Sequence, residues 1–119
     1  MKPQRIVLSR KAGFDLQAIS HSLNGLSAHS VARPGKWGNP FTIAEVMAEL
    51  GVDRDAARAE AVGRYRRWVT GRLEPDLSPG RPPDPAAIKS ELAGRNLACW
   101  CRAGTPCHAD TLIALANGD

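Results

Sequence analysis

A small α/β domain with a short, partly parallel sheet flanked by helices is the fold this sequence predicts, on three observations. Two short apolar runs, Arg5–Ser9 (RIVLS) and Asn96–Cys101 (NLACWC), stand near opposite ends of the chain and read as strands that need burial inside a sheet. Segments with helical periodicity and recognisable caps lie between them. Strands separated by helices favour parallel pairing. At 119 residues the chain has the common size of one domain, so residues 1–119 are expected to share a single core.

The elements follow in order. Behind Asp15, Leu16, Ile19 and Leu23 recur at i, i+3 and i+7, and Asn24-Gly25 supplies a stop, which predicts a short amphipathic helix with those residues as its apolar face. Ser27–Ala32 is a candidate second strand leading into Arg33-Pro34-Gly35-Lys36, where Pro then Gly favours a type II turn. Thr42 and Glu45 have capping-box spacing and Gly51 ends the pattern, so a helix is expected over about residues 43–50. Asp53 caps another running to about Thr70, with Val62, Tyr65 and Val69 on one stripe, Trp68 beside it and Gly71 as the stop.

Residues 74–85 hold five prolines and a glycine, which excludes a regular helix or a central strand and predicts a surface loop within the domain. Asp84-Pro85 then starts a helix with Ile88 and Leu92 inward and Gly94 at its end, and Thr105-Pro106 opens a last helix carrying Leu112, Ile113 and Leu115.

The hydrophobic fraction of 43% and charged fraction of 24% are those of an ordinary globular protein. Aromatic residues make up 5%, which leaves the core to Ala, Leu, Ile and Val. No apolar run approaches the roughly 20 residues that cross a bilayer, and the first residues lack the apolar stretch of a signal peptide. A cytoplasmic protein with no membrane partner is the expectation. The net charge of +4 permits a phosphate-bearing partner without demanding one. Only Arg64, Arg66 and Arg67 are tightly grouped, and they are the candidate surface for nucleic acid.

Chemistry concentrates in two segments, Arg33–Phe41 and Cys99–Asp110. Cys99, Cys101 and Cys107 are an odd count within nine residues, a poor disulfide framework. Cys99 and Cys101 would share one face of a strand, with Trp100 on the other, packed under a helix. One reading makes Cys99, Cys101, Cys107 and His108 ligands of a structural zinc, although CxC with an adjacent Cys-His differs from the usual zinc spacings. A second makes Cys107, in the first turn of the last helix, a thiolate nucleophile with His108 as base and Asp110 orienting it. A third makes the cysteines small apolar core residues.

In the other segment, the glycines free the backbone to approach a ligand. Arg33 and Lys36 offer cationic donors, Trp37 a stacking face and Asn39 an amide, together suited to a nucleotide-like or other phosphate-bearing ligand. The bland alternative is a rigid turn with Trp37 and Phe41 as core anchors. His21 and His29 have no partners in sequence and read as ordinary histidines. The alternatives in function are ligand binding between the two segments, a zinc-stabilised nucleic-acid module, and an interaction domain without a ligand.

The ordered trio ARPGKWGNPF, AVGRYRRWV and LACWCRAGTPCHADTLIALAN resembles a small bacterial and phage family known as domain of unknown function 4326. Cys-Trp-Cys followed by Cys-His and an apolar helix is the most specific part. The family's loop before the last helix is often proline-rich, where this chain has Arg102–Thr105. The resemblance implies no activity, and occurrence in phage implies only a nucleotide or nucleic-acid context.

Overall fold

The computed structural model describes residues 2–33 and 35–118. Three strands, β1 (Arg5–Val7), β2 (Ala28–Ser30) and β3 (Asn96–Cys99), form a parallel sheet in the order β1-β3-β2. Five α-helices surround it: α1 (Leu16–Asn24), α2 (Ile43–Leu50), α3 (Arg54–Val69), α4 (Pro85–Leu92) and α5 (His108–Ala116). This is the expected α/β arrangement. No helix among the described residues is long and apolar enough to cross a membrane.

β1 and β3 are neighbours, with Ile6 opposite Ala98 and Val7 opposite Cys99. β3 is the central strand and all four of its residues are buried. β1 is not inside the sheet as expected but on its edge, where Ile6 is buried and Val7 is exposed. With only three strands, a single central position exists, and the longer apolar run takes it.

The faces of β3 alternate. Leu97 and Cys99 enter the main core with Val31, Tyr65, Ile88 and Leu112, contributed by the β2 exit and by α3, α4 and α5. Ala98 packs with Ile6 and Ala28 on the other face. Asn96 shares that second face and is fully buried, donating to Ser20 Oγ and Asn24 Oδ1 at 2.8 Å each. This polar strand residue turns α1 away from its expected orientation. Ser20 and Asn24 face inward, while Ile19 and Leu23 are exposed.

The caps behave as expected. Asp15, Thr42, Asp53 and Asp84 each accept a backbone N–H at the start of α1, α2, α3 and α4. The segment 74–85 includes one 3₁₀ turn, Pro75–Leu77, and is tied down where the Trp68 indole donates to the Gly80 carbonyl at 3.0 Å. The turn expected at Pro34-Gly35 includes a residue outside those described.

Two boundaries differ at the candidate site. β3 ends at Cys99 rather than at residue 101, and α5 begins at His108 rather than at Thr105-Pro106, with Cys107 as its N-cap. Residues 100–106 are therefore a loop. Its Arg102–Thr105 turn closes with Thr105 N–H and Oγ1 both donating to the Arg102 carbonyl.

Candidate functional site

In an open parallel sheet, side chains that recognise a ligand collect just past the carboxyl ends of the strands, where the chain turns away. All three strands here end at one such edge. Arg10 follows β1, Arg33 and Asn39 follow β2, and Trp100 and Cys101 follow β3. They line one cleft of about 300 Å3, closed by His108 of α5 and Arg58 of α3.

Cys99, Cys101 and Cys107 have their sulfur atoms mutually within 4.8 Å, close enough to hold a metal ion. The Cys107 thiol donates to Cys99 Sγ at 3.0 Å. Cys99 and Cys107 are buried and Cys101 is partly exposed. Cys101 reaches the cluster because the chain bends at Trp100, not because it continues a strand face. The same bend leaves Trp100 47% exposed instead of packed beneath a helix.

His108 is buried, with Nε2 2.7 Å from the Val31 carbonyl oxygen and Nδ1 3.8 Å from Cys107 Sγ. A carbonyl only accepts, so Nε2 carries the proton and Nδ1 presents a lone pair toward Cys107. Burial lowers the His108 pKa, against the opposing effect of the Val31 hydrogen bond. The neutral imidazole is the form that ligates metals.

The three thiols are electrostatically unequal. Hydrogen bonds from Cys107 and Cys99, with the nearby charge of Arg5, hold Cys101 far below the ordinary thiol range. Cys101 and Cys99, together with burial, push Cys107 up, and Cys99 rises to about 11 chiefly through its hydrogen bond with Cys101. Cys107 lies outside the first helical turn and is buried, so its thiol is pushed up rather than down, and Cys101 is the one of the three that is partly exposed.

Arg5 secures the loop between these cysteines. It donates to the carbonyl of Thr105 at 2.8 Å, the carbonyl of Arg102 at 3.3 Å and the Asp110 carboxylate at 2.9 Å. Asp110 therefore faces Arg5, and the hydrogen-bond partner of His108 is Val31. Arg5 was not singled out from sequence, where it stands 97 or more residues from all three partners.

The segment after β2 divides in two. Arg33 and Asn39 line the cleft. The Asn39 side chain accepts from Phe41 N–H at 2.9 Å and donates to the Ala61 carbonyl at 3.2 Å, fixing the turn to α3. Gly38 permits the close return of the chain, since a Cβ there would sit 2.6 Å from Arg33 Cγ and 2.9 Å from its Cα. Trp37 is buried, with its carbonyl accepting from the Tyr65 hydroxyl at 3.1 Å. Lys36 pairs with Glu91 at 2.8 Å. Neither Lys36 nor Trp37 is brought to the cleft.

The expected basic surface is largely consumed internally. Arg64 is buried and pairs with Glu49 and Glu60, while Arg67 pairs with Glu60 and Glu74. Arg66 alone of the three is exposed. The arginines that do converge, Arg10, Arg33 and Arg58, are dispersed in sequence. Their common signal is position: two follow parallel strands and the third faces the same edge from α3.

The model of a family described as Domain of unknown function (DUF4326) matches residues 20–118, most of the chain. No curated protein and no solved structure matches the chain.

Proposed function

The chain belongs to the DUF4326 family, and we propose that it is a zinc-stabilised ligand-binding domain whose arginine-lined cleft takes a phosphate-bearing small molecule. The observation that carries this reading is the sharing of one strand-end edge by the cysteine cluster and the cleft: Cys99, Cys101 and His108 line the same concavity as Arg10, Arg33 and Arg58.

The donor set suits zinc, a metal that takes thiolate and imidazole ligands in tetrahedral sites. Ordinary zinc bond lengths put thiolates about 3.8 Å apart and a thiolate about 3.5 Å from an imidazole nitrogen. The three sulfurs form the cluster, and His108 Nδ1, 3.8 Å from Cys107 Sγ, is near that thiol but outside the group of mutually close ligand atoms, so it must shift to become the fourth ligand. The 3.0 Å between Cys99 and Cys107 is a thiol hydrogen bond, so loading parts those sulfurs by roughly 0.8 Å. Zinc cross-links β3, the following loop and α5, and so fixes the cleft wall.

For the ligand, Arg33 is exposed and makes no ion pair among the described residues. A guanidinium offers a forked set of donors that match phosphate oxygens. The test is calorimetric titration of the full chain with inorganic pyrophosphate. Binding should weaken with salt and fall about tenfold or more in Arg33→Ala, the worth of a charge-assisted hydrogen bond. Absence of binding, or binding indifferent to Arg33→Ala, contradicts the assignment.

A further inference from the structure

We propose that the ligand of this cleft is a nucleoside phosphate, with its base stacked on Trp100 and its phosphate on Arg33; this rests on the anion-binding reading above and adds the base. Trp100 is the sole exposed aromatic among the described residues. It lines the cleft although its neighbours Cys99 and Ala98 are buried. Core packing does not account for an indole in that position.

The exposed face already carries a planar, delocalised group. The Arg10 guanidinium lies 4.7 Å from the centroid of the Trp100 ring, and Arg10 is itself exposed. An exposed cation–π contact is worth a factor of about two to five in an equilibrium, whereas base–aromatic stacking is worth about 5- to 150-fold. A base therefore displaces the guanidinium favourably, and Arg10 is left free to turn to the phosphate. Arg58 gives up little by joining it, because its ion-pair partner Asp55 is 92% exposed.

Size narrows the class further. The cleft volume of about 300 Å3 is at the lower end for small-molecule sites, which suits one nucleotide better than a dinucleotide cofactor. A free mononucleotide and the terminal nucleotide of a single strand present the same chemistry.

The experiment titrates the full chain as purified with adenosine monophosphate, ribose 5-phosphate and a single-stranded DNA decamer. Adenosine monophosphate should bind at least about fivefold tighter than ribose 5-phosphate. Trp100→Leu should abolish that preference, the loss falling on adenosine monophosphate and not on ribose 5-phosphate, for which release of Arg10 from the indole can only help, and Trp100→Phe should keep most of it. A melting temperature for Trp100→Leu equal to wild type certifies its fold. Should that variant not fold, the wild-type preference together with quenching of indole fluorescence by the base decides. Tighter binding of the decamer supports a strand as the source, and equal or weaker binding supports a free nucleotide. Equal affinities for adenosine monophosphate and ribose 5-phosphate overturn the base assignment and leave anion binding standing. If none of the three, nor pyrophosphate, binds, both readings fall.

Discussion

His108 Nε2 donates to the carbonyl of Val31 at 2.7 Å, linking the first residue of α5 to the exit of β2 and holding the imidazole so that Nδ1 faces Cys107. The bond itself favours the protonated imidazole, but the burial that accompanies it outweighs that effect. Burial lowers the pKa of this histidine below its ordinary value of about 6.5, so the unfolded chain binds a proton that the folded chain refuses. Stability then rises with pH between the lowered folded value and about 6.5, and is lost as pH falls through that window. Urea unfolding of chelator-treated protein should show this loss beginning near pH 6.5, and His108→Gln should flatten that part of the profile. An unchanged acid limb in the variant would contradict the buried neutral assignment.

Arg5 should act on the metal without touching it. Arg5→Ala removes the donors to the Thr105 and Arg102 carbonyls and to Asp110, which frees the loop between Cys101 and Cys107. Loss of such outer support typically costs 10- to 100-fold in metal affinity. Competition with a chromophoric chelator should register a fall of about tenfold with secondary structure retained. Affinity equal to wild type would remove Arg5 from the account.

How much of this was legible in the sequence depended on whether the deciding partner was near or far along the chain. The α2 limits and the caps at Asp15, Thr42, Asp53 and Asp84 rest on contacts within a few residues, and they follow from local spacing. The α1 orientation does not, because Ser20 and Asn24 are drawn inward by Asn96, more than 70 residues away. Cys99, Cys101, Cys107 and His108 were visible as a cluster. Which of the thiols stays partly exposed was not, since it depends on β3 ending at Cys99 and α5 starting at His108. Trp37 takes the core-anchor place that was one of its two readings, where its carbonyl meets Tyr65 of α3, while Trp100, expected to pack under a helix, is left at the cleft because the strand ends just before it.

Gly38 should be irreplaceable at small cost in composition and large cost in structure. In Gly38→Ala the new methyl meets the Arg33 backbone at 2.9 Å, a contact that a flexible side chain cannot relieve. Overpacking of this kind destabilises by about 1–3 kcal/mol. Thermal melting should show that loss, and pyrophosphate affinity should fall with it because Arg33 is displaced. Wild-type values for both would show that the loop has slack.

Arg64 should separate stability from binding. Its side chain is 8% exposed and held by Glu49 and Glu60. Arg64→Ala should destabilise the fold by about 1–3 kcal/mol, less than a fully buried pair because Glu60 retains Arg67. Pyrophosphate affinity measured below the melting transition should be unchanged. A loss of affinity with stability intact would return this helix face to the binding surface.

X-ray absorption at the zinc edge, on the 119-residue chain purified without added metal, probes the metal centre itself. One zinc per chain is expected, with three sulfur scatterers near about 2.3 Å and one nitrogen near about 2.0 Å, and loss of one sulfur in Cys101→Ser. A protein that carries no zinc and takes none up when it is supplied, or zinc surrounded only by oxygen and nitrogen, would contradict it.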